Sequence, residues 1–145
     1  MAVGVPQLSG MSSDELDALF RSSEAGAIPQ GEADGTVLIA PGTQLEGPAE
    51  KLIHVIAWQG KVFDPEKGEL RNKILPIGVR AVRAKVYKEA SWLDQKETIV
   101  LDYSKTSLVA HWIRDEIREV SPGLYLGLVY WKRARILHFA LKFPT

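Results

Sequence analysis

The feature that most restricts this chain is its last third, where Gly123-Leu124-Tyr125-Leu126-Gly127 and Phe139-Ala140-Leu141-Lys142-Phe143 read as the arms of a closing hairpin with apolar residues on both faces. Successive side chains of a strand point to opposite sides. A strand apolar on both sides therefore has its second face covered, by helices or by the far wall of a closed sheet. That points to a β-barrel with something in, or over, its middle. A chain of 145 residues suits one domain around one core, so the reading is a single β-barrel domain over 1–145, with an N-terminal helix and loop over 1–35 peripheral to it.

Charge and composition narrow the function classes. Eighteen Lys and Arg balance eighteen Asp and Glu, which supplies no overall field to attract nucleic acid or an anionic membrane. The absence of cysteine removes disulfides, thiolate nucleophiles and every cysteine-based metal site. Residues 1–10 lack a basic stretch followed by a long apolar run, and no segment approaches a membrane-spanning apolar length. The expectation is a cytoplasmic protein with no nucleic-acid or membrane partner and no cofactor.

Local signals set the order of elements. Ser12-Ser13-Asp14-Glu15 fits a capping box ahead of Leu16, Leu19 and Phe20, which predicts a short helix. Residues 22–35 are rich in Ser, Gly and Pro and read as a loop leading into a strand over Thr36–Ala40. Pro48, at a first helical position, followed by Ala49, Leu52, Ile53 and Ile56, predicts a second helix ending at Gly60. Asp64-Pro65-Glu66-Lys67-Gly68 is turn chemistry between Lys61-Val62-Phe63 and Glu69–Leu75, a hairpin.

From Val79 to Ala90 the pattern alternates, with Val82, Ala84 and Val86 on a dry face and Ala81, Arg83, Lys85 and Tyr87 on the other. A turn at Ser91–Lys96 returns the chain as a strand over Thr98–Tyr103. Lys105–Val120 carries Val109, Trp112, Ile113, Ile117 and Val120 at helical spacing and reads as a third helix, ended by Ser121-Pro122-Gly123. Should it be extended instead, the barrel gains a strand with Arg114, Glu116 and Arg118 on one side. The final hairpin turns at Lys132–Arg135. The sum is mainly β, an antiparallel barrel of six to eight strands with two or three short α-helices.

Trp58-Gln59-Gly60-Lys61-Val62-Phe63 resembles the W-x-G-K-x-F element of a group of uncharacterised small bacterial and plant domains described as lipocalin-like. The later order is similar as well: Asp102-Tyr103 at a strand end, Asp115-Glu116-Ile117-Arg118 as a short helix of D-x-x-R type, Leu126-Gly127 on a glycine-marked strand, then the aromatic strand Phe139–Phe143. The resemblance spans about residues 55–143. It implies a closed lipocalin-like β-barrel with an interior cavity and carries no established activity.

The residues that could carry chemistry are few. His54, His111 and His138 form none of the H-x-H, H-x-x-x-H or H-E-x-x-H spacings of metal sites, so no metal is expected. His54 and His111 read as helix-surface residues. His138 shares a strand face with Ile136 and Ala140, opposite Leu137, Phe139, Leu141 and Phe143, and points into the barrel if that second face packs elsewhere. Arg83, Lys85 and Tyr87 share a strand face, with Tyr125 and Tyr130 nearby in the sheet order; an arginine with a tyrosine hydroxyl could hold a carboxylate or carbonyl oxygen. The plainer reading makes Arg83 and Lys85 the wet side of the strand.

Trp58, Trp92, Trp112 and Trp131 are pocket lining or ordinary core, and Trp92, in a turn, suits a lid over the barrel mouth or a contact with another chain. Asp115, Glu116, Arg118 and Glu119 read as a solvated helix face with local ion pairs. No nucleophile elbow, phosphate loop or dinucleotide fingerprint occurs.

The expected function is binding of a small, mainly hydrophobic or amphipathic ligand inside the barrel, with Arg83, Tyr87, Trp92, Tyr125, Tyr130 and His138 as candidate contacts. An isomerase or hydrolase using Asp102 or His138 as base is the alternative on the same scaffold. A barrel filled by its own side chains and working as a homodimer is the third.

Overall fold

The computed structural model describes residues 3–38, 57–75, 83–105 and 111–144. Two short helices, α1 (Val5–Ser9) and α2 (Ser13–Ser22), precede eight strands: β1 (Gly31–Leu38), β2 (Ala57–Asp64), β3 (Glu69–Leu75), β4 (Arg83–Ala90), β5 (Glu97–Asp102), β6 (Ile113–Ser121), β7 (Leu124–Trp131) and β8 (Ala134–Lys142). Each strand pairs with the next in sequence, and β1 pairs antiparallel with β8, so the sheet closes into a barrel. Closure leaves no edge strand to template pairing with another chain.

The α2 capping box forms as the sequence predicts: Ser12 Oγ accepts from Glu15 N at 3.2 Å, and Glu15 Oε1 accepts from Ser12 N at 3.1 Å. The β2–β3 hairpin, the β4–β5 pairing and the final hairpin also follow the sequence. Three expectations are corrected. The segment read as a third helix contains β6 instead, because Ile113 and Ile117, four apart, fit both a helical stripe and one face of a strand. Pairing with β5 and β7 decides between the two periods, and Pro122-Gly123 turns a hairpin rather than ending a helix. Residues 57–60, read as a helix end, open β2; the rest of that predicted helix, with His54, lies outside the described residues. β1 starts at Gly31, inside the stretch read as a loop, because β2 pairs Phe63 with Gly31 and closure onto β8 pairs Leu141 with Gly35. Ile39 and Ala40 fall outside the described residues.

Alternation assigns the walls. Inward positions include Ala33, Lys61, Phe63, Leu70, Ala84, Val86, Ile99, Leu101, Ile117, Val129 and Phe139, which pack in one cluster or face it across the sheet. The outward face of β7 and β8, with Leu124, Leu126, Leu128, Tyr130 and Ala140, is covered by Leu8, Leu16 and Phe20 of α1 and α2. Thus β7 is apolar twice over because one side meets the lumen and the other meets helices. Gly127 lies beneath Phe139, and a Cβ there would sit 2.2 Å from the ring.

The two ends of the barrel differ. At one, the β2–β3, β4–β5 and β6–β7 turns are short, and the segment before β1 crosses the opening: Glu119 N donates to Ala25 O at 3.3 Å, and Tyr125 Oη donates to Ala27 O at 2.8 Å. Phe143 packs tilted against Phe63 and edge-on to Tyr125 below it, with ring centroids 5.7 and 5.5 Å apart. The other end receives the β1–β2, β3–β4 and β5–β6 connections and the β7–β8 turn, where Lys132 and Arg133 both take positive φ, 48° and 74°. Each turn cation lies over an indole, Lys132 over Trp112 at 4.1 Å and Arg133 over Trp92 at 4.4 Å.

Candidate functional site: a buried Lys–Tyr–Asp cluster in the barrel

Among the described residues, Lys61 and Asp115 are buried charged side chains that point from the wall into the interior. Lys61 lies on β2 next to Phe63 on the same face, and Asp115 lies on β6 between Ile113 and Ile117; both are almost fully buried. Lys61 Nζ lies 3.3 Å from Asp115 Oδ2 and donates to Tyr103 Oη at 2.7 Å, while the Tyr103 hydroxyl donates to the same Oδ2 at 3.4 Å. The rings of Tyr103 and Phe139 each sit 5.4 Å from the ammonium. Burial pushes Lys61 down from its usual pKa and Asp115 up, and the attraction between them opposes both shifts.

The second carboxylate oxygen, Asp115 Oδ1, is buried without any hydrogen-bond partner. A buried acceptor left in this way costs roughly 1–3 kcal/mol. Native interiors contain few of them, so each calls for an explanation. The cluster therefore has unused acceptor capacity for one more donor, and its low-dielectric surroundings strengthen whatever contact is made.

The six sequence candidates are placed differently. Arg83 and Tyr87 are on the outward face of β4, in keeping with the plainer reading; Tyr87 Oη donates to Asp102 Oδ2 at 2.9 Å, and burial with that bond pushes its pKa up to about 12. Burial works to raise the Asp102 carboxyl, but bonds from Ser104 and Tyr87 outweigh it and hold the group below its usual value. Trp92 is not over the lumen: it lies outside, edge-on to Tyr130 at 5.1 Å and beneath the guanidinium of Arg114 at 4.2 Å. Tyr130 is outward too, its pKa pushed up to about 12 by burial and by Glu116.

His138 points away from the lumen, since Leu137, Phe139 and Leu141 take the inward positions of β8. Its Nε2 donates to Asp17 Oδ1 at 2.7 Å, and Asp17 also accepts from Arg135, so the trio fastens α2 to β8. Burial pushes the His138 pKa down against the pull of Asp17. Tyr125 alone of the six points inward, with its hydroxyl already given to Ala27. Among the described residues no three His, Asp or Glu side chains gather to hold a metal ion.

The sequence reading missed Lys61, Tyr103 and Asp115 as a group. The signal was present: Lys61 is the lysine of the W-x-G-K-x-F element and shares a face with Phe63, and I-x-D-x-I over Ile113–Ile117 puts Asp115 among apolar neighbours once the segment is extended.

The chain is a closed, antiparallel, eight-stranded β-barrel protein with a charged pair inside. It is similar in fold to the crystal structure of a protein from Thermomonospora curvata, with a TM-score of 0.63 and 15% identity over 94% of this chain and 90% of that one. No family model matches the chain, and no curated protein does. No helix among the described residues is long and apolar enough to cross a membrane.

Proposed function

We propose that this protein binds a small, mainly hydrophobic molecule inside the barrel, oriented by Lys61, Tyr103 and Asp115. The observation that carries the reading is the unpartnered Asp115 Oδ1 set in the large apolar cluster of the interior. Ligand sites are largely apolar, with a few convergent polar groups that fix orientation. Two further features support it. Eight strands make the size of barrel that either fills with side chains or holds one small ligand. The inward positions of β1 run Gly31, Ala33, Gly35, a stretch of wall with almost no side-chain bulk. The resemblance of Trp58–Phe63 to lipocalin-like domains agrees, since its lysine is Lys61.

A filled barrel is the second reading, favoured by the close packing of Phe139 over Gly127. Native mass spectrometry of the purified protein separates the two. The binding reading expects apolar compounds retained at one per chain, and weaker retention in Ala33→Leu, which adds bulk to the β1 wall. A protein that takes up no apolar compound, either as purified or from an added panel, overturns it.

A further inference from the structure

Resting on the reading of the lumen as a binding site, we infer that its ligand is electrically neutral and carries a hydrogen-bond donor, a hydroxyl or an amide N–H on an apolar body. Two observations lead there. Lys61 and Asp115 neutralise each other at 3.3 Å, and among the described residues they are the fully buried charged side chains that face inward. Glu119, also on the inward side of β6, sits at the strapped end, where it accepts from Gly123 N at 3.2 Å. The free valence of the cluster is an acceptor, Asp115 Oδ1, while Oδ2 already receives Lys61 and Tyr103.

Charged ligands fit this site poorly. A carboxylate drawn to Lys61 would set two anions around one ammonium in an apolar lumen. An ammonium could bond Oδ1, but it would set two cations around one carboxylate in an apolar lumen. A neutral donor bonds Oδ1 and leaves the existing pair intact, and its apolar remainder lies against the aliphatic and aromatic wall.

The test compares four probes of one chain length on the wild-type protein at neutral pH by isothermal titration calorimetry: dodecanol, its methyl ether, dodecanoate and dodecylammonium, each below its aggregation limit. Dodecanol should bind about tenfold more tightly than the ether, the worth of one hydrogen bond to a buried acceptor, and more tightly than either ion. In the Lys61→Met/Asp115→Leu double variant, alcohol and ether should become equal. Tightest binding by dodecanoate or dodecylammonium, or equal binding of alcohol and ether to the wild type, overturns the inference and leaves the lumen a binding site. If none of the four binds, the lumen reading itself fails and the inference goes with it.

Discussion

Two of the buried charged clusters among the described residues, one on the barrel's outer wall and one within, are finished differently. Outside, Arg118 is wholly buried and uses all its N–H donors: two to Asp94 at 2.7 and 2.8 Å, and one each to the carbonyls of Phe20, Lys96 and Glu97. Its guanidinium lies 4.3 Å over the Phe20 ring and closes the C-terminal turn of α2. Beside it, Glu116 Oε1 accepts from Ser91, and Oε2 accepts from Trp92 N and from Arg114. The inner cluster has the same burial and leaves an oxygen bare. The outer charges that fasten elements of the fold are saturated by them; the inner carboxylate is not.

The sharpest way to break this contrast is to remove Arg118. Arg118→Ala takes both charged bonds from Asp94 and one bond each from three carbonyls, and should lower unfolding stability by roughly 3–5 kcal/mol in urea titrations. A loss below about 1 kcal/mol would mean the outer cluster is ornamental. Gly127→Ala should come next, at about 1–3 kcal/mol, because its new Cβ collides with the Phe139 ring. Phe139→Leu in the same chain should recover part of that loss.

The inner cluster should behave the opposite way. Replacing both charges, Lys61→Met with Asp115→Leu, should leave stability unchanged or raise it by about 1–4 kcal/mol, as expected for an under-satisfied buried pair exchanged for apolar residues. A large loss in thermal unfolding would show that the pair is structural after all.

Acid sharpens the outer side. Arg118 holds Asp94 at a pKa of about 2 against its usual 3.8, so its contribution is complete above pH 4 and fades as pH falls toward 2. Asp94→Asn should flatten that limb of the curve of stability against pH. The smallest effect belongs to Arg83→Ala, on the exposed face of β4: within about 0.5 kcal/mol, and no change in retention of apolar compounds.

What the sequence made legible is what depends on local pattern. The Ser12–Glu15 cap, the Asp64–Gly68 turn and the dry face of Ala84 and Val86 are each decided by neighbours a few residues away. The doubly apolar Leu124–Trp131 announced a covered sheet. Which face of each strand turns inward is decided by closure, and closure depends on β1 meeting β8 across the length of the chain. Local pattern therefore turns His138 and Tyr130 toward the wrong side. Asp115 was hidden for a second reason, since charged neighbours Arg114, Glu116 and Arg118 gave its segment the look of a wet helix, when their partners were Ser91, Trp92, Asp94 and the end of α2.

The seam between β1 and β8 joins residues roughly a hundred positions apart, such as Gly35 and Leu141. Every other strand finds its partner in the adjoining stretch of chain. During synthesis β1 is the first of the eight strands to emerge and β8 the last, so the ring can shut only after β8 has been made. Its slowest contacts are those of highest sequence separation. The burial of Lys61 and Asp115 belongs to the closed ring, so the penalty it imposes on their charges comes due only with that last pairing.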